Sequence, residues 1–136
     1  MKAMKFVLAG CLAAAVAATL WAEVDADYQA AMKGAAGAVG RLKKDIDAKS
    51  APDAAKDAKE VAMNYRKMGG YWKAHSADDA MDLCKAGFAA ANAVSKAAEA
   101  GNMDEAAAQF KTLTGTCGGC HKAHRDKAAD GSFVIK

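Results

Sequence analysis

The residues whose types and spacing point most directly to chemistry occupy positions 117–121, which read Cys-Gly-Gly-Cys-His. Residues three and four apart on a helix share one face, so Cys117, Cys120 and His121 are expected to project together. The C-x-x-C-H spacing is typical of covalent haem attachment, in which two thiols add to the vinyl groups of one porphyrin and the imidazole becomes the proximal iron ligand. The segment therefore predicts one covalently bound haem c, with His121 bound to its metal.

A C-x-x-C pair also occurs in two other kinds of site. A thioredoxin-like redox motif requires a βαβ setting, for which the chain shows no strand pattern. A structural zinc site needs a second pair of ligands at zinc spacing, and the sequence offers neither a second C-x-x-C nor an H-x-x-x-H pair. The pentapeptide thus favours haem attachment.

The elements that must position this motif read as helices. The chain has a single proline, Pro52, and no alternating run of β-branched residues. The first helix is predicted from about Asp25 to Ile46 and the last from about Asn102 to Ala129. Both carry apolar residues at heptad spacing. These are Tyr28, Met32, Ala35, Val39, Leu42 and Ile46 in the first helix, and Met103, Ala106, Phe110, Leu113, Cys117, Cys120 and His124 in the last.

The two middle helices are bounded by turn-forming residues. Pro52 falls in the first turn of the second helix, and the Gly-Gly pair that follows Met68 is expected to end it. The inner face of this helix is expected to carry Ala54, Ala58, Val61, Tyr65 and Met68.

Residues 71–75 then form a connection, whose Tyr71 and Trp72 are expected to cap one end of the core. Ser76 is expected to be the N-cap of a third helix, which ends near Glu99, before Gly101. Because short connections favour antiparallel neighbours, the predicted fold class is all-α: an antiparallel up-down-up-down four-helix bundle with covalently bound haem.

The first 22 residues read as a signal peptide. A short basic segment, MKAMK, precedes an apolar stretch that is too short to span a membrane. Cleavage is expected after Ala22, with Ala18 as the second candidate, which leaves residues 23–136 as the cytochrome domain. The alternative is a lipoprotein modified at Cys11, but only five apolar residues precede that cysteine, fewer than the usual roughly 7–15.

Charge and cysteine count narrow the partners of the exported domain. Removal of Lys2 and Lys5 with the leader lowers the formal net charge from +3 by two, to +1, which gives no strong field for nucleic acid or anionic lipid. Export predicts an oxidising compartment, the periplasm. Three cysteines remain, so at least one thiol has no disulfide partner within the chain. The odd one, Cys84, is either a small buried hydrophobe or, if exposed, a link between the subunits of a homodimer.

A C-x-x-C-H motif near the C-terminus of a four-helix chain resembles the class II c-type cytochromes. These are cytochrome c-prime and its low-spin, methionine-ligated relatives, and the resemblance extends from about Tyr28 to Lys127. In that family the Cys-His that ends the motif is typically followed by two residues, an aromatic residue and an arginine. Here His124 occupies the aromatic position before Arg125. The resemblance implies that Arg125 lies close to a haem propionate. The alternative is a solvated arginine near a helix C-terminus.

The low-spin members carry, early in the first helix, a pattern like Arg-Gln-x-x-Met-Lys, whose methionine ligates the iron. The chain matches it at Gln29, Met32 and Lys33. It differs at Tyr28, where the family has the arginine to which a propionate contact is usually assigned. The resemblance therefore implies that Met32 is the second axial ligand, whereas an ordinary methionine at this position would simply fill the core.

Other side chains compete for the iron with less support. His75 lies in the predicted connection, where solvation is expected, and His124 leaves the same helix as His121, so that it cannot easily reach the opposite face of the haem. The remaining thioethers lack a matching local pattern: Met63, Met68, Met81 and Met103.

A Met/His pair keeps the iron six-coordinate and suits electron transfer. We therefore expect a periplasmic carrier of a Gram-negative bacterium that exchanges electrons with redox partner proteins, converts no substrate and does not span a membrane. The alternative is a high-spin cytochrome c-prime, whose open position binds nitric oxide or carbon monoxide. A weak peroxidase would need distal acid or base groups, and the first helix offers only Met32, alanine and glycine there.

Overall fold

The structure, a computed structural model, describes residues 25–136. They form four helices and a short hairpin: α1 (Ala26–Asp47), α2 (Ala51–Ala74), α3 (Asp78–Glu99), α4 (Met103–His124), β1 (Arg125–Lys127) and β2 (Phe133–Ile135). Consecutive helices pack antiparallel, so the fold is the predicted up-down four-helix bundle. No helix within this part of the chain is long and apolar enough to cross a bilayer. The predicted signal peptide, its cleavage positions and Cys11 lie outside the described residues.

Two of the four helices, α1 and α4, begin at residues whose side chains satisfy free N–H groups of the first turn. The carboxylate of Asp25 accepts hydrogen bonds from the N–H groups of Asp27 and Tyr28, at 2.7 and 3.3 Å. The Asn102 side chain accepts from the N–H of Glu105 at 3.1 Å. Both are N-cap contacts, which define where α1 and α4 start.

The three turns between helices share one backbone arrangement. Each contains a residue with positive φ: Lys49 (54°), Ser76 (53°) or Gly101 (73°). The next N–H then reaches back to a carbonyl five residues earlier, as from Ala77 to Trp72 at 3.2 Å, which is the Schellman arrangement. The prediction that Ser76 is the N-cap of α3 is therefore wrong. It adopts the left-handed conformation that closes α2, and Ala77 takes the N-cap position.

The second helix continues beyond the glycine pair that was expected to end it. α2 runs through Gly69 and Gly70 to Ala74, with buried Met68 and Trp72 on either side of the pair. Tertiary packing of those two large side chains outweighs the low helix propensity of glycine. The predicted connection at residues 71–75 is thus mostly helix.

The last helix ends at His124 instead of near Ala129. Residues 125–127 pair antiparallel with residues 133–135, so the expectation of a chain without strands was wrong at the tail. The N–H of Lys136 donates to the carbonyl of His124 at 3.1 Å. The tail therefore occupies the end of α4 and satisfies one of its free carbonyls.

One side-chain contact holds the hairpin against the bundle, and another joins its two strands. Ile135 packs on the core, and the guanidinium of Arg125 lies 4.1 Å from the centroid of the Phe133 ring. A pairing three residues long has too few positions to show an alternating pattern, which is why the sequence did not predict it.

The core consists mainly of alanine, with a few larger residues. The predicted seam of α1 faces inward: Tyr28, Ala35 and Leu42 are buried, and the intervening members are half-buried. The predicted inner face of α2 is buried throughout, at Ala54, Ala58, Val61, Tyr65 and Met68. Short side chains let neighbouring helices approach closely. The half-buried residues of α1 lie on the side that faces α4, where the two helices stay apart.

Candidate cofactor site

A cavity of about 260 Å³ lies beside α1 and α4, which make few contacts with each other. All four helices contribute to its walls, which are largely apolar. They consist of Tyr28, Met32, Ala35, Ala36, Val39, Tyr65, Met68, Trp72, Leu83, Cys84, Cys117, Cys120 and His121. The predicted attachment motif and the predicted distal methionine therefore line one space. A flat group larger than this volume would reach solvent along the open side.

The attachment motif remains helical through both of its glycines. Cys117, Cys120 and His121 are half-buried and line the cavity, whereas Gly118 and Gly119 are exposed. This confirms that the three side chains share a face of the helix. Neither thiol of the motif is in a disulfide, so both are available for another bond.

A hydrogen-bonded chain orients the first thiol of the motif. The hydroxyl of Thr116 donates to the carbonyl of Leu113 at 2.7 Å. The Tyr65 hydroxyl lies 2.8 Å from the Thr116 oxygen and 3.0 Å from the Cys117 sulfur. The Cys117 thiol also donates to the Leu113 carbonyl, at 3.6 Å, so the Tyr65 hydroxyl has two acceptors within reach, the Thr116 oxygen and the Cys117 sulfur. The sequence predicted Tyr65 only as a core residue, since a helical pattern does not show what its hydroxyl contacts.

Burial sets the protonation of the site. It raises the pKa of the Cys120 thiol, helped by the nearby Asp79 carboxylate. It lowers the pKa of His121, and the positive charge of Arg125 acts in the same direction. A neutral imidazole is the form that binds a metal. The environment of His121 therefore favours the state that a metal ligand needs.

Two thioethers line the cavity. Met32 is half-buried on α1, where the sequence predicts a ligand, and Met68 is 4 % exposed on α2. Met63 is 60 % exposed, and Met81 and Met103 are not among the lining residues. Among the competing methionines only Met68 lines the cavity, and it lacks a matching local pattern.

Neither of the competing histidines lines the cavity. His75 is exposed and stacks on the ring of Tyr71, with centroids 4.0 Å apart. The Nε2 atom of His124 lies 2.9 Å from a carboxylate oxygen of Asp79, which ties the end of α4 to the start of α3. Both roles are structural contacts at the surface of the bundle.

The predicted propionate contact of Arg125 involves a side chain outside the cavity wall. Arg125 is exposed, with its guanidinium over the Phe133 ring, although its charge reaches His121. The contact stays a prediction. Within residues 25–136 no group of three or more His, Cys, Asp or Glu side chains lies close enough together to hold a metal ion. A His/Met iron centre does not depend on such a group.

Aromatic rings pack together at one end of the core, as the sequence predicted for Tyr71 and Trp72, and two of them, Tyr28 and Trp72, also line the cavity. The Trp72 ring meets the Tyr28 ring edge-on at 5.6 Å and the Tyr71 ring at 5.2 Å between centroids. Burial strongly raises the pKa of Tyr28, so its hydroxyl stays protonated at neutral pH. The aromatic end carries polar atoms, whereas most of the cavity does not.

No protein-family model, curated protein or solved structure matches the chain. Its function must therefore be inferred from its own fold and site: a four-helix up-down bundle with a C-x-x-C-H motif and a methionine on the walls of one cavity.

Proposed function

We propose that this protein is a mono-haem c-type cytochrome that transfers electrons. Cys117 and Cys120 would hold the haem through thioether bonds, and His121 and Met32 would be the two axial ligands. The observation that carries the proposal is that Met32, on α1, lines the same cavity as the C-x-x-C-H turn of α4.

The donor set fits the group. Each thiol can add across a vinyl group, its sulfur bonding to one carbon and its hydrogen passing to the other, so the step needs no oxidant. Tyr65 holds the Cys117 thiol in place by the hydrogen bond at 3.0 Å. Partial burial and the positive charge of Arg125 lower the pKa of His121, which keeps its imidazole neutral and able to coordinate. The residues present therefore suit covalent attachment and axial ligation.

The apolar walls suit a carrier. A bound haem supplies a one-electron couple, whose potential a Met/His pair raises. The chain excludes water with Leu83, Val39 and the aromatic end, while the gap along α1 and α4 leaves an edge accessible to redox partner proteins. Walls of this kind suit electron transfer without conversion of a substrate, and the periplasm follows from the predicted signal peptide.

The first test is the optical spectrum of protein matured in a bacterial host that attaches c-type haem. We expect a mass increase of one haem per chain, a low-spin spectrum and little change on adding carbon monoxide to the ferrous form. Rapid binding of carbon monoxide would instead support the high-spin, gas-binding cytochrome. A colourless protein without added mass would exclude both.

The second test compares the two methionines of the cavity. Met32→Ala should convert the iron to a high-spin state that binds carbon monoxide, whereas Met68→Ala should keep the low-spin spectrum. The control is matched because both side chains line the cavity and both changes remove the same atoms. The reverse result would make Met68 the ligand, and an unchanged spectrum in Met32→Ala would remove Met32 from the proposal.

A further inference from the structure

A groove on the outer surface of α2 and α3 has an apolar lining. Its volume is about 280 Å³, and Met81 and Phe88 of α3, both half-buried, lie along one side. Gly69 and Gly70 of α2 lie along the other side, and a Cβ added at Gly70 would meet nothing within 4 Å. Packing within residues 25–136 therefore does not require glycine at position 70, although glycine is a weaker helix former than alanine. Bare backbone at this position lets an incoming side chain approach closely.

Every charged side chain that lines this groove is basic. Arg66 and Lys73 lie about two turns apart on α2, on either side of the glycine pair, and Lys85 lies across from them on α3. The Arg66 guanidinium is held at the edge of the groove, 5.5 Å from the centroid of the Phe88 ring. Lys85 pairs with Asp82 at 3.0 Å, whereas neither Arg66 nor Lys73 forms an ion pair with another residue of the described chain. This basic groove therefore carries a local positive charge.

The basic groove lies behind one wall of the cofactor cavity. Tyr65 and Cys84 line both spaces, so one layer of side chains separates them. The hydroxyl of Tyr65 is 3.0 Å from the sulfur of Cys117, one of the two thiols proposed to hold the haem. A molecule held in the groove would thus be one aromatic ring away from the attachment site.

The size and charge of the basic groove favour a protein as its occupant. Pockets for small ligands usually measure about 300–1,000 Å³ and enclose most of the ligand, whereas this groove is smaller and lies at the surface. An apolar centre with a charged rim is typical of a protein interface, and a basic rim favours an acidic partner. A second copy of this chain suits the groove less well, because a two-fold contact would bring like charges together.

We propose that the basic groove is the docking surface for an acidic redox partner protein, which places an apolar side chain over Gly70. The proposal rests on the proposed function, since a bound haem must accept the electron. One electron would pass from the reduced partner, across the layer that contains Tyr65, to the ferric haem, and no bond forms or breaks. The gap along α1 and α4 leaves a haem edge accessible, but the groove supplies charge that steers a partner toward the opposite side of the cavity.

The charge of the groove is tested by the rate at which an acidic donor reduces the ferric holoprotein. Reduced flavodoxin, an acidic one-electron donor, is the probe at low ionic strength. Arg66→Glu with Lys73→Glu should lower the second-order rate constant at least about tenfold and remove its fall with added salt, because two cations become anions at the docking surface. Reduction by a neutral hydroquinone should be unchanged, which shows that the haem itself is intact.

A matched control separates the groove from the net charge of the protein. Lys33→Glu with Lys111→Glu makes the same change in net charge at exposed positions of α1 and α4, the helices that border the gap. This pair should slow the reaction with flavodoxin much less than the pair in the groove.

The shape of the groove is tested without a change in charge. Gly70→Leu should fill the groove and slow the reaction with flavodoxin severalfold, while the optical spectrum stays that of the unchanged holoprotein. Gly40→Leu is the control, because Gly40 is an exposed helical glycine outside the groove that also has nothing within 4 Å of an added Cβ. The control should leave the rate unchanged.

The outcomes separate this proposal from the proposed function. A coloured holoprotein whose reaction with flavodoxin is undetectable or independent of salt would overturn the docking surface alone. Equal effects of the two charge pairs, or of the two leucine variants, would do the same. A dimer in sedimentation that Gly70→Leu dissociates would assign the groove to a second copy of the chain and also overturn it. A protein without covalent haem would overturn the proposed function itself.

Discussion

The two sides of the bundle are built differently. Between α2 and α3 the helices are closely packed: Gly87 makes room for the ring of Tyr65, and the Ser95 hydroxyl donates to the carbonyl of Ala55 at 3.3 Å. Between α1 and α4 the helices barely touch, and large side chains surround a cavity. The same alanine-rich sequence thus gives one closed side and one open side.

The difference follows from residue size along the facing stripes. Between α2 and α3, alanine and glycine let the two helix backbones approach closely. Between α1 and α4, the large side chains of Tyr28 and Met32 keep the helices apart. Close packing then supplies the stability that the open side lacks. The comparison predicts that changes on the open side alter the cofactor and changes on the closed side alter stability.

The largest expected effect is loss of the cofactor. The double change Cys117→Ala and Cys120→Ala should abolish covalent haem completely, because no thiol of the motif remains. Cys84→Ala is the control, since that thiol lines the same cavity outside the motif and its removal should leave one haem per chain. Haem staining after denaturing electrophoresis measures both. Covalent pigment that persists in the double variant would show that Cys84 can replace the motif.

A substitution on the closed side should reduce stability. A Cβ added at Gly87 would overlap the Tyr65 ring, so Gly87→Ala is expected to cost about 1–3 kcal/mol, typical of overpacking. At Gly70 nothing lies within 4 Å, so Gly70→Ala should gain up to about 1 kcal/mol from helix propensity. Urea unfolding of the holoproteins compares the two. Equal midpoints would mean that α2 and α3 can separate without cost.

The smallest effect concerns the chemistry of Cys84. Burial, with a contribution from Cys120, raises the pKa of its thiol from the ordinary 9.0 to about 12. Only the thiolate reacts with iodoacetamide. The unfolded chain should therefore be labelled from about pH 9, whereas the folded holoprotein, in which Cys84 stays buried, should resist labelling at that pH. Labelling of the folded protein at neutral pH would contradict the buried setting of Cys84.

The sequence was sufficient where the signal is periodic or spaced along one helix. The heptad seams predicted the inward residues of α1, α2 and α4, and the C-x-x-C-H spacing predicted that three side chains share a face. The turn at Gly101 was also visible, because glycine is the residue that most readily adopts positive φ.

The sequence was insufficient where contacts between distant residues determine a helix end, a turn conformation or a hydrogen-bond partner. Gly69 and Gly70 remain helical because packing of the flanking residues outweighs propensity, and Ser76 adopts a conformation that glycine usually provides. The hydrogen bond of Tyr65 to Cys117 joins positions on different helices. No local pattern encodes which helix a hydroxyl will meet.

The fastening at the end of α4 has a consequence for a carrier of electrons. The carbonyl of His124 is held by Lys136, and its ring is held by Asp79, one turn beyond His121. The proposed axial ligand, His121, lies on this anchored turn, so it would shift little when the charge of a bound iron changes. Small nuclear displacement means a low reorganisation energy, and with it rapid electron exchange at modest driving force.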